Sequence, residues 1–445
     1  MRIAGWLERW AHARPDRVAV AEPGAARTYA QLAAAADGVA AALAARGARA
    51  GDRVAIALPP GVAFAEVLHG CLALGAAAMP VDLRLGAAER ARIEASARVV
   101  VDAPVSAGAH ARPRHAATGR PGDHVALVMH TSGTTRAPRP IELTLGNVQA
   151  SALGAAGALG HDPAERWLCP LPVSHVAGLM ILLRCAIHGT TALIDPPPFD
   201  AAATAARIAG DGVTLVSLVP TQLARLLDAG LARPQALRGA ILGGGPADPA
   251  LLRRAAAAGV PVAQTYGLTE TCSMATTSEP GQPETAGRPL PGVDVELAPD
   301  GEILLTGPVI APAALAADGR LHTGDLGVLG PDGLRIVGRK ADTIVTGGEN
   351  VAPAEVEAAL LEHPAVAEAG VYGRPDPEWG EAVVARVVLR DGGGDDTTPA
   401  ALREHVARRL AGYKVPKAVE LSTEPLPRTA SGKLLRRALP APGCR

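Results

Sequence analysis

Residues 131–135 read Thr-Ser-Gly-Thr-Thr and directly follow an apolar run at residues 125–129. The run has the length and composition of a buried β-strand. The segment after it is rich in hydroxyls and contains a glycine, so it can turn several N–H and O–H groups toward one point. No Gly-Lys-Ser/Thr opens a helix, as the Walker pattern would require. The sequence therefore predicts a different phosphate-binding loop, formed by Thr131, Ser132, Gly133, Thr134 and Thr135.

The composition of the 445-residue chain narrows its possible functions. The formal net charge of -1 provides no basic field, which argues against binding to nucleic acid. No apolar run has the length of a membrane-spanning helix, and the N-terminal segment lacks the apolar core of a signal peptide. The five cysteines are scattered and form no Cys-x-x-Cys pair, a pattern typical of reduced proteins without structural zinc. We therefore expect a cytoplasmic protein that contacts neither membrane nor nucleic acid.

Helical and strand-like segments alternate along the first half of the chain, as at residues 29–46 and 53–58. Such alternation is typical of parallel sheets flanked by helices. After about residue 280 the segments become short and rich in turns, which predicts a small β subdomain. A last α+β unit begins near Arg339, with a helix predicted at residues 399–410. We therefore predict an α/β fold with a large domain at residues 1–338 and a small mobile domain at residues 339–445.

Two further segments follow predicted strands and suit a nucleotide. Three glycines come directly after an apolar strand, and they would let a planar ligand approach the backbone closely; these are Gly243, Gly244 and Gly245. The second segment offers an aromatic ring, a hydroxyl and a carboxylate within five residues, and it includes Tyr266, Gly267, Thr269 and Glu270. These side chains can stack on a base, contact a phosphate and hold Mg²⁺, the last through Glu270.

Three charged residues complete the candidate nucleotide site. Asp325 is suited to ribose hydroxyls, Arg339 adds a cation, and Lys433 lies in a small-residue loop. The motifs fall in a set order at residues 131–140, 266–270, 323–325, 338–339, 347–350 and 427–433. In this order the chain resembles the adenylate-forming superfamily of acyl-CoA synthetases, adenylation domains and luciferases. It departs from that pattern where Arg136, Arg139 and Pro140 stand for the family's Gly, Lys and Gly.

A finer resemblance involves residues 169–184, together with the glycine run and residues 266–272. These segments are similar to those of the o-succinylbenzoate–CoA ligases of menaquinone biosynthesis. The resemblance implies that His175, Arg184 and Gly243 bind the acyl substrate. Arg184 also stands out from its surroundings, because a buried guanidinium within an apolar segment needs an anionic partner. The partner is either a distant Asp or Glu of the chain or a second carboxylate of the substrate.

The resemblance implies a reaction in two steps. A carboxylate first attacks the α-phosphate of ATP, and the thiol of coenzyme A then displaces AMP from the acyl-adenylate. Lys433 would bridge the two anions of the first step, together with Mg²⁺, with Thr131 and His175 as further catalytic residues. The C-terminal domain would then rotate and present Gly347, Gly348 and Glu349 for the second step.

Three alternatives stay open at this point. The chain could be another aryl- or acyl-CoA synthetase, or an adenylating enzyme that loads a carrier protein. It could also be a nucleotide-binding protein that has lost catalysis, because the phosphate loop is altered at Arg136 and Pro140.

Overall fold

A computed structural model describes residues 2–3, 5–105, 120–131, 139–390, 397–428 and 434–440. Local sequence signals explain where its elements begin. The helix that starts at Tyr29 has a capping box, in which the Thr28 hydroxyl accepts from the Gln31 N–H and the Gln31 side chain accepts from the Thr28 N–H. Thr144 and Asn147 form the same pair at the start of a second helix. Short polar residues at these positions satisfy backbone groups that the helix leaves unpaired.

The described residues include α-helices at α1 (Trp6–Ala13), α2 (Tyr29–Ala45), α3 (Val62–Leu74), α4 (Ala87–Glu94), α5 (Leu145–Leu159), α6 (Val176–His188), α7 (Ala201–Gly210), α8 (Pro220–Asp228), α9 (Pro249–Ala257), α10 (Pro353–Leu361) and α11 (Pro399–Ala407). The last helix ends three residues before the predicted end at Leu410. The N–H groups of Arg409 and Leu410 both donate to the carbonyl of Val406, so the regular helical ladder stops there.

The strands of the first half of the chain are β1 (Arg2–Ile3), β2 (Val18–Glu22), β3 (Ala25–Thr28), β4 (Arg53–Ile56), β5 (Ala77–Pro80), β6 (Val99–Val101), β7 (Arg120–Pro121), β8 (Val125–Thr131), β9 (Arg139–Thr144), β10 (Arg166–Cys169), β11 (Thr191–Ile194) and β12 (Leu215–Leu218). Those of the second half are β13 (Gly239–Leu242), β14 (Val262–Tyr266), β15 (Thr276–Thr277), β16 (Arg288–Pro289), β17 (Asp294–Leu297), β18 (Glu302–Thr306), β19 (Leu321–Gly330), β20 (Gly333–Arg339), β21 (Ile344–Thr346), β22 (Glu349–Val351), β23 (Val366–Asp376), β24 (Gly380–Leu389) and β25 (Ala418–Ser422).

The chain divides into two compact units. The large unit comprises residues 1–246, 252–295 and 305–321, and the small unit comprises residues 247–251, 296–304 and 322–445. The predicted domain boundary at residue 338 stays a prediction. It marks the start of the segment that is expected to move, and a division into compact units does not test such a movement.

The large unit contains two parallel-rich sheets. The first has nine strands in the order β16-β15-β14-β13-β12-β10-β11-β2-β3, and its strands from β14 to β2 run parallel. The second has the order β6-β4-β5-β8-β9, with β9 antiparallel to β8. The carboxyl ends of parallel strands share one edge of a sheet, so the loops that follow β10, β13 and β14 lie along the same edge.

The small unit is built differently. Strands β17 to β20 form a four-stranded sheet, and β22, β21, β24 and β23 form a second sheet in which β25 adds to β24. Helices α10 and α11 pack on this second sheet through apolar side chains such as Val356, Leu360 and Leu402, each fully buried. The predicted small β region and final α+β unit are therefore both present, and the predicted fold class is confirmed.

Candidate active site

The predicted phosphate segment lies between two antiparallel strands. Thr131 ends β8, and it pairs in register with Arg139 at the start of β9. Arg139 and Pro140 are exposed at this end of the strand pair. The other predicted members of this loop, Ser132, Gly133, Thr134, Thr135 and Arg136, lie outside the described residues. The strand register nevertheless brings the cation at position 139 next to the segment that is predicted to bind phosphate.

The glycine run and the Tyr266 segment follow neighbouring parallel strands. Gly243, Gly244 and Gly245 come directly after β13, and Tyr266 ends β14 beside it. A Cβ atom at Gly243 would lie 2.9 Å from the Cγ2 atom of Thr265, so the run packs closely against β14. Gly244 and Gly245 are exposed, whereas the ring of Tyr266 is only 9% exposed. The two predicted nucleotide segments therefore share one edge of the sheet.

The turn after Tyr266 is tightly constrained. A Cβ atom at Gly267 would lie 1.8 Å from the carbonyl oxygen of Ser273, so only glycine fits there. Thr269 and Glu270 lie in a short 3-10 helix, and both are half-buried. Cys272 and Ser273, which follow it, have φ angles of 53° and 94°, a conformation that non-glycine residues rarely adopt. The backbone thus holds the Glu270 carboxylate in a fixed turn at the carboxyl edge of the sheet.

His175 directly precedes α6, at the same edge, after the strand β10. Its N–H donates to the carbonyl of Pro172 and its carbonyl accepts from the N–H of Leu179, while its side chain does not cap the helix. The imidazole Nε2 atom lies 2.8 Å from the guanidinium of Arg84 and 3.7 Å from the carboxylate of Asp82. Asp82 and Arg84 follow β5, the neighbour of β8 in the second sheet. The contact therefore joins the carboxyl edges of the two sheets of the large unit.

Arg184 lies in the middle of α6 and is 2% exposed. One of its terminal nitrogens donates to the hydroxyl of Ser151 at 3.1 Å, and its guanidinium lies 5.6 Å from the centre of the Trp167 ring. Its Nε atom is buried and has no hydrogen-bond partner among the residues that the structure describes. The Ser151 hydroxyl donates in turn to the carbonyl of Cys272, so Arg184 is linked to the turn that carries Glu270.

The charge of Arg184 is not compensated by a carboxylate of the described chain. Burial lowers its pKa to about 10, because desolvation disfavours the charged form. The buried carboxylate of Glu165 pairs with Arg238 instead. The alternative of an ion pair with a distant Asp or Glu is therefore not met among residues 5–105, 120–130, 139–390, 397–428 and 434–440. A hydroxyl and an indole face satisfy a guanidinium only partly, and an anionic ligand would complete its environment.

Asp325 and Arg339 come together within the small unit. They are register partners on the antiparallel strands β19 and β20, and the Arg339 Nε atom lies 3.0 Å from the Asp325 carboxylate. The Asp325 N–H donates to the Thr323 hydroxyl, and the Gly324 N–H donates to the carboxylate of Glu302. The predicted ribose-binding turn is thus held by its own threonine hydroxyl and by a neighbouring carboxylate.

The predicted segment for the second half-reaction is a tight hairpin. Gly347 and Gly348 connect β21 to β22, and Thr346 pairs with Glu349 across them. The two glycines have φ angles of 58° and 83°, as a two-residue hairpin turn requires. Glu349 is exposed at its base. Lys433, the predicted catalytic lysine, lies outside the described residues.

Two features of the described residues bear on metals and membranes. Across the part of the chain that the structure describes, no three His, Cys, Asp or Glu side chains group together as a metal site. The same residues contain no helix of sufficient length and apolar character to cross a membrane. A single carboxylate such as Glu270 still fits Mg²⁺, which is commonly held by one or two carboxylates and the phosphates of a substrate.

Family models match most of the chain. Residues 7–312 match the AMP-binding enzyme family, and residues 355–433 match the AMP-binding enzyme C-terminal domain. The chain belongs to the AMP-binding enzymes. The predicted membership of the adenylate-forming superfamily is therefore confirmed.

Relatives and solved structures of AMP-binding enzymes match over the whole length. The chain is 35% identical to the 2-succinylbenzoate–CoA ligase of Bacillus subtilis, with 98% of this chain and 97% of the relative covered. It is 36% identical to the enzyme of the same name from Geobacillus kaustophilus, with the same shares covered. The o-succinylbenzoate CoA synthetase of Bacillus subtilis in complex with its acyl-adenylate intermediate superposes with a TM-score of 0.89 at 34% identity, over 99% and 98% of the two chains.

Four residues that support this AMP-binding enzyme's candidate site could not be found from the sequence. Asp82 and Arg84 contact His175, and Ser151 and Trp167 contact Arg184. Ser151 lies in an alanine-rich helix that also contains Asn147 and Gln149, so the sequence did not single it out. The other contacts depend on which strands are neighbours, which periodicity does not reveal.

Proposed function

We propose that this AMP-binding enzyme is an acid–thiol ligase that joins o-succinylbenzoate to coenzyme A through an acyl-adenylate, in menaquinone biosynthesis. One observation carries the choice of acid: Arg184 is a buried cation with no carboxylate partner among the described residues. The relatives at 35–36% identity are named for the same substrate.

In the first step a carboxylate oxygen attacks the α-phosphorus of ATP, and pyrophosphate leaves. Both reactants are anions, so the chain must supply positive charge where they meet. We assign that role to Lys433, and we assign the phosphates to residues 131–135 with Arg139 beside them. Mg²⁺, which Glu270 would hold, neutralises phosphate charge when bound. The glycine run and the segment that includes Tyr266, Gly267 and Thr269 would hold the adenosine.

In the second step the thiol of coenzyme A attacks the acyl carbon, and AMP leaves. We propose that residues 339–445 move as a domain between the two steps, so that the Lys433 loop withdraws and residues 347–349 approach. The hairpin geometry supports this role, because a two-residue glycine turn presents backbone at its tip without a side chain to obstruct a long, narrow thiol substrate. Asp325 would remain with the nucleotide on either side of this movement, and Arg339 would lie at the start of the moving segment.

The acyl group would bind near His175, Gly243 and Arg184 in the large unit. o-Succinylbenzoate carries a second carboxylate on its ring, besides the one that is activated. A charge-assisted hydrogen bond in a dry site is stronger than a neutral one, so the ring carboxylate would complete the environment of Arg184. A monocarboxylic acid would leave this cation uncompensated. The electrostatics therefore favour a diacid as the substrate.

The test is ATP–pyrophosphate exchange over a panel of carboxylic acids. We expect exchange with o-succinylbenzoate and much weaker exchange with β-benzoylpropionate, which is the same molecule without the ring carboxylate. Thioester formation with coenzyme A, compared with a carrier protein as acceptor, then identifies the second substrate. Equal exchange with both acids would indicate a broader acyl-CoA synthetase, and loading of the carrier would indicate a different acceptor. ATP binding without exchange on any acid would indicate a chain that has lost catalysis.

We also place the enzyme in the cytoplasm, where its three substrates are available. The scattered cysteines support this proposal, because Cys71, Cys169, Cys185 and Cys272 are all buried and free.

A further inference from the structure

Arg84 is held in a fixed position by the carboxylate beside it. Its Nε atom donates to one oxygen of Asp82 at 2.9 Å and its terminal NH2 atom donates to the other at 2.7 Å. The backbone N–H of Arg84 donates to the same carboxylate at 3.0 Å. A two-point contact between a guanidinium and a carboxylate fixes the orientation of both groups. The pair thus forms a rigid support in the loop after β5.

The same terminal nitrogen of Arg84 lies 2.8 Å from the Nε2 atom of His175. A guanidinium has only donors and stays protonated in proteins, so the imidazole Nε2 atom must accept. A ring that accepts at Nε2 is neutral and carries its proton on Nδ1. The contact therefore determines both the charge and the tautomer of His175.

Asp82 alone would have the opposite effect on the ring. A carboxylate 3.7 Å from Nε2 favours the imidazolium form. Burial opposes ionisation of Asp82, but the hydrogen bonds from Arg84 outweigh it and lower the pKa of the carboxylate. The ionised carboxylate is thereby engaged by Arg84. Asp82 and Arg84 thus face the ring as an oppositely charged, mutually bonded pair.

We propose that Arg84, oriented by Asp82, is a positioning residue that keeps His175 neutral, with its proton on Nδ1, at the start of α6. The inference deepens the proposed function, because it assigns the state in which His175 meets the acyl group. An imidazolium here would offer a second cation to carboxylate substrates. With a neutral imidazole, only Arg184 would bind the ring carboxylate, and only Lys433 would assist adenylation of the other carboxylate. Because no second cation then attracts monocarboxylic acids, the preference for the diacid increases.

The direct test is the ring nitrogen spectrum of His175 in the free enzyme. The chain contains 12 histidines, so the His175 signals are assigned as those that disappear in His175→Asn. With ¹⁵N-labelled histidine, we expect a protonated Nδ1 and an unprotonated Nε2 at neutral pH. In Arg84→Ala the Nε2–H tautomer, which a solvent-exposed histidine side chain prefers, should become populated, and the ring should titrate at a higher pH because Asp82 is no longer engaged. A wild-type ring protonated on Nε2 would overturn the proposal.

Kinetics supply a second readout that a general loss of structure would not produce. In Arg84→Ala, the preference for o-succinylbenzoate over β-benzoylpropionate in exchange should fall about tenfold at pH 6 but only about twofold at pH 8.5, because the imidazolium form accumulates at low pH and offers monoacids a second cation. Arg84→Lys retains a donor and should recover most of the low-pH preference. In a His175→Asn background, Arg84→Ala should have no further effect on the pH profile.

The matched control is Arg254→Ala, which removes another arginine–aspartate pair of the large unit. Arg254 lies 2.5 Å from Asp228 on an exposed surface, and its loss should leave the pH profile unchanged. A uniform loss in Arg84→Ala at all pH values, equal to that of a destabilised variant, would contradict the positioning role. If wild-type enzyme shows no exchange with o-succinylbenzoate, the proposed function fails, while the nitrogen spectrum still decides the state of His175.

Discussion

Two arginines of this enzyme, one in each compact unit, have opposite surroundings. Arg436, in the small unit, bonds to the carboxylates of Asp342 at 2.8 Å and Glu357 at 2.7 Å. Arg184, in the large unit, is more deeply buried, yet the described residues give it only the Ser151 hydroxyl and the Trp167 ring. Within the described part of the chain, both arginines also have a buried Nε atom without a hydrogen-bond partner. The two arginines therefore differ in whether the described residues provide the counter-charge.

The proposed function explains this difference as that between a structural cation and a cation that binds a ligand. Moving a guanidinium out of water costs free energy, and an ion pair within the chain offsets much of that cost on folding. Where no such pair forms, the cost is offset only when an anion binds. Under the proposed assignment, Arg184 would contribute to the binding of a substrate carboxylate, and Arg436 would not.

The largest effect is expected for Lys433, a third cation that would act in the chemical step itself. Lys433→Ala should slow adenylation by about 10²–10³, the usual effect of removing one preorganised charge contact. Thioester formation from supplied acyl-adenylate should be largely spared, because the lysine loop would have withdrawn by then. Pyrophosphate exchange and the isolated thioester step measure the two rates separately. Equal damage to both half-reactions would contradict this role.

Arg184→Ala should raise the KM for o-succinylbenzoate by about 30-fold, because one charge-assisted contact in a dry site contributes about 2 kcal/mol. The KM for β-benzoylpropionate should change little, since that acid offers no second anion. ATP affinity without acid should be unaltered. The measurement is acid-dependent pyrophosphate exchange, with thermal unfolding as the control. If the two acids suffer alike, or if stability falls and KM does not rise, Arg184 is a structural residue and the comparison with Arg436 collapses.

Arg436→Ala is the reciprocal variant, and it should affect stability rather than substrate choice. The substitution leaves the carboxylates of Asp342 and Glu357 close together without their cation. We therefore expect the free energy of unfolding to fall by about 1–2 kcal/mol. Burial already raises the pKa of Glu357, and loss of Arg436 should raise it further. Because the ionised carboxylate is then the unfavourable form, the destabilisation should be larger at pH 8 than at pH 5. Denaturant unfolding at the two pH values checks this, and unchanged stability at both would be inconsistent with the ion-pair role.

The fold was predictable from the sequence because its signals are local. The helix α2 and the strand β4 begin at residues 29 and 53, as predicted, since a threonine cap and a short apolar run define them. The order of the motifs along the chain then indicated the adenylate-forming superfamily. The antiparallel strand β9 escaped prediction, because it begins with Arg139 and Pro140, which resemble a loop rather than a strand.

The site was only partly predictable, since contacts across sheets leave no periodic trace in a sequence. The apolar surroundings of Arg184 showed that it would be buried, yet whether a carboxylate of the chain would reach it depended on three-dimensional packing. Likewise, nothing near Arg84 in the sequence indicates His175, which lies 91 positions away. Local sequence patterns therefore predicted the motifs, whereas the topology of the sheets determined which of them are in contact.

The smallest effect is expected for Ser151→Ala, which tests the partner that Arg184 does have. The hydroxyl accepts from Arg184 and donates to the carbonyl of Cys272, so its loss leaves one buried donor and one buried acceptor unsatisfied. We expect the free energy of unfolding to fall by about 1 kcal/mol, and the KM for o-succinylbenzoate to rise about threefold, because the guanidinium is less well oriented. Saturating o-succinylbenzoate should restore more stability to Ser151→Ala than β-benzoylpropionate does, since only the diacid returns an acceptor to Arg184. Equal stabilisation by the two acids would show that the ring carboxylate binds elsewhere.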